Sequence, residues 1–222
     1  MDAAFLRPAR MVDSDHPEVI AFAHAQVRGA NDRERAIALY YAVRDSVRYD
    51  PYRIDLSERG LSASHALATG IGWCVPKAAL LAAVCRVQGI PARLGYADVR
   101  NHLSTARMRE YWGTDVYMWH GYTDIWLDGA WRKATPAFNL ELCERFGVLP
   151  LEFDGVTDSI YHPYDRAGNR HMEYVRDRGH FADVPLAQIS ADFVEHYPTL
   201  AARGFYDREA DFETDVLRET QR

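Results

Sequence analysis

The stretch GIGWCVPKAALLAAVCRVQGIPARLGYADV, residues 70–99, sets a cysteine two residues ahead of a proline. A helix tolerates proline in its first turn, so a helix is expected from about Cys74 to Gln88, stopped by Gly89 and Pro91. Ala78, Ala79, Leu81, Ala82 and Cys85 are small or apolar, which predicts packing on several sides, and PARLGYADV then reads as a strand. Cys74 therefore stands at the front of the helix. Unsatisfied N–H groups and roughly half a positive charge gather there. Both favour a thiolate over a thiol, and the same N–H groups can hold an oxyanion. A buried thiol that merely packs is the plainer role. It suits Cys85, deep in the apolar run, and Cys143, which has no evident helix start before it.

Upstream, residues 15–28 (DHPEVIAFAHAQVR) predict a helix with Asp15 as its cap and Pro17 in its first turn. Asn31 and Glu34 form a capping-box pair ahead of a second helix, whose buried face is Ala36, Leu39, Tyr40, Val43 and Val47. Residues 53–70 read as loop and a short helix, and residues 100–116 as a surface loop. Downstream, YMWHGYTDIWLDGAWRKATPAFN, residues 117–139, is a hairpin closing on Asp128-Gly129. That turn pairs Leu127 with Ala130, Trp126 with Trp131, Asp124 with Lys133, Tyr122 with Thr135 and His120 with Ala137. His120 and Thr135 become diagonal neighbours, roughly 7–8 Å apart by backbone. Asp124 and Lys133 are expected to form a structural ion pair. Residues 140–222 carry scattered turn residues and aromatics, with one or two helices expected over 186–220.

The chain has 222 residues, is 48% apolar and 26% charged, and carries a net charge of −6, which fits a globular protein. Basic residues are dispersed, so neither a nucleic-acid footprint nor a polybasic membrane signal is present. No stretch approaches the roughly 18 apolar residues of a membrane span. The N-terminal segment lacks the apolar centre of a secretion signal, and a cytoplasmic location is expected. Cys74 and Cys85 fall on nearly one helical face but roughly 16 Å apart along it, so reduced thiols are expected rather than a disulfide.

Three segments, in order, resemble the transglutaminase-like superfamily, whose members adopt a papain-like cysteine-protease fold. NDRERAIALYYAVRDSVRYDPY is similar to the family's helix entering a Tyr-Asp turn. GIGWCVPKAALLAAVCRVQGIPARL is similar to its nucleophile helix, and HGYTDIWLDGAWRKATPAFN to its histidine strand and hairpin. The resemblance implies an α+β fold with N-terminal helices on an antiparallel sheet and the nucleophile at a helix N-terminus. One unit over residues 1–222 is expected, with a core at about 15–140 and a C-terminal elaboration at about 141–222. The implied roles are Cys74 as nucleophile and His120 as general base and acid. The family's third residue is usually an aspartate, and here that position is Thr135, followed by Pro136. Thr135 could orient the imidazole as a neutral acceptor, another acid such as Asp124 could replace it, or the site could have lost its chemistry and become a binding module.

Trp73 and Tyr122 are candidate walls of a substrate cleft, with core packing as their ordinary alternative. His162, Asp165, His171 and His180 could ligate zinc, but their spacing is irregular and surface hydrogen bonding explains them more simply. No metal and no cofactor is expected. The sequence thus points to a thiol enzyme acting on a peptide or other amide, with water as the default acyl acceptor.

Overall fold

The computed structural model describes residues 2–102, 104–160, 168, 172–207 and 209–220. After a short 3-10 turn at Ala3–Phe5 come α1 (Pro17–Gln26), α2 (Asp32–Ser46), β1 (Arg48–Tyr49), α3 (Ala63–Thr69), β2 (Ile71–Gly72) and α4 (Cys74–Val87). Then follow β3 (Ala92–Asn101), α5 (Ala106–Trp112), β4 (Val116–Leu127), β5 (Ala130–Ala134) and α6 (Leu140–Phe146). The C-terminal region adds β6 (Met172–Phe181), α7 (Leu186–His196), α8 (Pro198–Arg203) and α9 (Phe212–Thr220). The fold is α+β: helices α1 to α4 pack on an antiparallel sheet of order β5-β4-β3-β6, while β1 and β2 form a separate parallel pair.

Helix α4 is the centre. Every residue from Cys74 to Arg86 is buried, because α1, α2 and α3 cover it on one side and β3 and β4 on the other. Two cations lie within this helix, and both are satisfied by main-chain carbonyls. Lys77 donates to the carbonyls of Arg44 (2.8 Å) and Val47, at the end of α2, where a positive charge complements the helix dipole. Burial still pulls its pKa down to about 7. Arg86 donates to the carbonyls of Ala92 (2.9 and 3.0 Å), Arg7 (2.9 Å) and Ala182 (2.6 Å).

The second helix follows its sequence pattern closely. Asn31 Oδ1 accepts from the Glu34 amide at 2.9 Å, Glu34 reaches back to the Ala30 amide at 2.7 Å, and the expected apolar face is buried. In the first helix the cap is His16 rather than Asp15, its Nδ1 accepting from the Glu18 amide, since Pro17 takes the first helical position. Residues 100–116 are not a plain loop: α5 lies among them, capped by Thr105 Oγ1 on the Met108 amide (3.1 Å) and stopped by Gly113 at φ 65°. Cys143 does follow a helix start, three residues into α6. Over 186–220 the described residues form three helices, not one or two, and the C-terminal region also supplies β6 to the sheet.

The hairpin has the expected register from Leu127↔Ala130 to Thr123↔Ala134, with Trp126 and Trp131 edge to face at 5.3 Å. There the ladder ends. Thr135 is drawn instead to Ser159, whose carbonyl accepts its amide at 2.7 Å, so the expected Tyr122–Thr135 and His120–Ala137 pairs are not part of the ladder. Asp124 also differs from expectation. It is bound by Arg93 on β3 (3.0 and 2.8 Å) and by His180 Nε2 (3.1 Å), while Lys133 stands over the Tyr122 ring at 5.1 Å. The fork of an arginine matches a carboxylate better than an ammonium does.

Gly95 on β3 is a point of close approach. A Cβ there would lie 2.2 Å from the ring of Tyr122, which is itself buried. Gly95→Ala is therefore expected to destabilise the protein by about 1–3 kcal/mol, lowering the thermal midpoint by about 3–10 °C in a calorimetric scan.

Candidate active site

The front of α4 meets β4 where that strand is bare of β5. Gly121 makes the contact possible: a Cβ there would lie 3.3 Å from the Cys74 carbonyl oxygen and 3.3 Å from Val75 Cα. One step earlier β4 carries a bulge. Ala97 pairs with His120 but Val99 with Tyr117, so β4 has an extra residue across that step, and Trp119 takes φ 60°. Asp98 pins the bulge, accepting from the Trp119 amide (3.2 Å) and from Arg178 Nε (2.8 Å). A bulge re-aims the side chain that follows it, and here that residue is His120.

Cys74 and His120 line one cavity together with Trp73. Cys74 and His120 are themselves only 5% and 6% exposed. Burial pushes the Cys74 thiol up to about 12, against the pull of main-chain N–H groups of Gly121, Val75 and Cys74 itself. Burial alone brings His120 down to about 4, and among the described residues no group is hydrogen bonded to its ring. Burial thus disfavours the charged form of both groups, and for Cys74 it works against the thiolate that the helix front favours. Desolvation outweighs the amides because no cation offsets it.

Thr135 is tied elsewhere. Its Oγ1 donates to the Ile160 carbonyl at 3.1 Å, and its own carbonyl accepts from Tyr40 Oη at 3.1 Å. Among the described residues it makes no bond to His120, and it is not part of the cavity lining. Tyr122 is not part of that lining either. Its ring lies against Gly95, with its hydroxyl 3.4 Å from His180 Nε2. Trp73 is in the lining, packs on Phe193 of α7 at 5.9 Å, and keeps a buried Nε1 with no acceptor among the described residues. His162, Asp165 and His171 lie outside the described residues, and His180 belongs to the Asp124 cluster.

Several cavity residues escaped the sequence reading. Met108 and Trp112 sit on α5, which Thr105 and Gly113 bracket as a cap and a stop. Gly121 could be suspected only from its place beside His120. All three cysteines are free and buried, and among the described residues no helix is long and apolar enough to cross a membrane.

A family model described as the transglutaminase-like superfamily matches residues 20–136, just over half of the 222-residue chain. No curated protein matches. One similar solved structure is described as "a Putative Cysteine Protease from Cytophaga hutchinsonii", at 18% identity and TM-score 0.46, covering 79% of this chain and 52% of that one. Another is described as "a putative protease from Parabacteroides distasonis", at 18% identity and TM-score 0.41, covering 60% of this chain and 26% of that one. The chain thus spans about half and about a quarter of those two proteins.

His120 makes acid stability a direct readout of this burial. Between pH 6.5 and about 4 the unfolded chain binds a proton at this histidine that the folded chain refuses. Stability must therefore fall as pH drops through that window, by as much as about 3 kcal/mol from this one group. In urea titrations across the same window, His120→Gln should lose correspondingly less stability than the wild type; parallel curves would mean that the ring is protonated in the folded state.

Proposed function

Since the chain belongs to the transglutaminase-like superfamily, we propose that it is a thiol-dependent acyl-transfer enzyme acting on peptide or other amide carbonyls through Cys74 and His120. The observation that carries this function is that both residues line the same closed, largely apolar cavity at the front of α4.

Because thiol and imidazole are both neutral at rest, His120 acts as a general base as the bond forms, rather than as half of a standing ion pair. It takes the Cys74 proton as Sγ attacks the carbonyl carbon. The oxyanion falls to main-chain N–H groups near the sulfur, those of Val75, Gly121 and Cys74 being the candidates. The imidazolium then gives its proton to the leaving nitrogen as the C–N bond breaks, and an acyl thioester remains. Water attacks the thioester, giving up its proton through His120. The C–S bond breaks, the acid departs and the thiol is restored. The burial of Cys74 and His120 among apolar walls strengthens each of these interactions.

Thr135 takes the part of a positioning residue. Its bonds to Ser159 and Ile160 hold the end of β5 and the chain after it in place. Trp73 takes the part of a cavity wall and Tyr122 that of a support behind the strand. A second role, a binding module without turnover, is favoured by one observation: no carboxylate is bonded to His120 among the described residues.

Hydrolysis of a panel of peptide amides decides between them. Cys74→Ala is expected to abolish turnover while changing stability by no more than about 1 kcal/mol. A wild-type protein that turns over none of the panel would leave the binding module. Thr135→Asp would set a carboxylate against the Ile160 carbonyl, 3.1 Å from the present hydroxyl. It is expected to lower the thermal midpoint with no gain in kcat; a faster variant would show that a missing acid limits the site.

A further inference from the structure

Among the described residues no group is hydrogen bonded to the His120 ring, so its aim rests on packing and on the backbone that carries it. That backbone is unusual. Trp119 stands at φ 60°, in the left-handed region that bulky residues rarely adopt, and such a residue persists only where its surroundings over-determine it. Three side chains do so here. Asp98 Oδ1 accepts the Trp119 amide at 3.2 Å, and Asp192 Oδ2 accepts its indole N–H at 2.9 Å. The Arg178 guanidinium lies 4.8 Å over the indole ring and donates to both carboxylates, to Asp98 Oδ1 at 2.8 Å and to Asp192 Oδ2. Arg178 reaches them from a bulge of its own: Tyr96 pairs with Gly179 and Ala97 with Asp177, which leaves Arg178 as the extra residue on β6. The Asp98 and Arg178 side chains are only 6% and 9% exposed, so solvent and salt do little to weaken their pair.

Given the role proposed for His120 as base, we infer that Asp98, held in place by Arg178, is a positioning residue that aims the imidazole at Cys74. The carboxylate acts on the backbone one residue before the histidine and makes no bond to the ring. It thereby takes over the orienting task that Thr135 does not perform. None of Asp98, Arg178 and Asp192 lines the cavity, so the three act through Trp119 and not on a substrate. Arg178 on β6 and Asp192 on α7 also lie beyond residue 136, where the family match ends. The C-terminal region thus takes part in setting the base.

The test follows the His120 ring by NMR in the full chain carrying isotope-labelled histidine, its signal assigned by its absence from His120→Gln. The titration runs from about pH 8 down to about pH 5, the range in which an ordinary histidine takes up its proton. In the wild type burial keeps the ring neutral over this range, its pKa being brought down to about 4. In folded Asp98→Ala the ring is expected to leave the cavity and gain about tenfold or more in proton affinity. Asp98→Asn keeps an oxygen for the Trp119 amide and should stay within about twofold of the wild type. Loss of a negative charge by itself lowers the proton affinity of a histidine, and both variants lose it. A rise confined to alanine therefore reports movement of the ring. Where Asp98→Ala does not fold, Asp192→Ala and Asp192→Asn form the same pair for the indole N–H, at a carboxylate 25% exposed. A gain of equal size in the alanine and asparagine variants would overturn the inference, as would no gain in the folded alanine variant. A wild-type ring that titrates near the ordinary histidine value would overturn it too. Turnover and thiol reactivity play no part in the measurement, so failure to hydrolyse peptide amides and failure of this positioning are separately visible.

Discussion

A helix buried on every side has to bring its own polar groups to terms with the interior, and α4 does so through Lys77 and Arg86. Among the described residues neither cation meets a carboxylate within hydrogen-bonding distance; both are held by main-chain carbonyls. Lys77 lies one turn behind Cys74 and fastens the front of α4 to the end of α2. Arg86 fastens its rear to the start of β3. Both ends are thus tied to neighbouring elements, with the first turn and its sulfur facing β4. Gly121 completes the arrangement by letting the strand come close.

The burial that fixes Cys74 also sets its chemistry. Thiolates at helix fronts are favoured where solvent or a cation shares the load, and this sulfur has main-chain amides alone. Desolvation then dominates, for the imidazole as for the thiol. The threonine at the position usually given to an aspartate is consistent with that neutrality. A buried carboxylate beside His120 would have raised its proton affinity and favoured the imidazolium.

What the residues disclosed in advance was governed by locality. The turn at Asp128-Gly129 and the tryptophan pair determined the hairpin register through Thr123, because each partner lies within a few residues of the turn. Cys74, Gly89 and Pro91 delimited α4 for the same reason, and Asn31 and Glu34 began α2. Thr135 escaped because its partners, Ser159 and Ile160, are distant in sequence and nothing near position 135 announces them. The bulge at Trp119 escaped because it depends on Asp98 and Arg178, on two other strands. Asp124 faces Lys133 across β5 in the sequence pattern, but its ion pair lies on the other side of β4. Arg93, on the β3 side, presents the better-shaped group. Of the candidate site, Cys74, His120 and Trp73 were legible. The apolar walls on α5 were not, because a seven-residue helix carries too short a hydrophobic period to stand out.

The three carbonyls gathered by Arg86 come from Arg7, Ala92 and Ala182, on segments far apart along the chain. The guanidinium is thus a knot joining the N-terminal segment, the middle of the sheet and the stretch just beyond β6. Two of those three strands of the knot lie outside residues 20–136. A fragment trimmed to the family match would leave the guanidinium facing vacated positions and would also lack β6 along the edge of β3. Burial of α4 thus leans on main-chain oxygens that the family match itself does not contain.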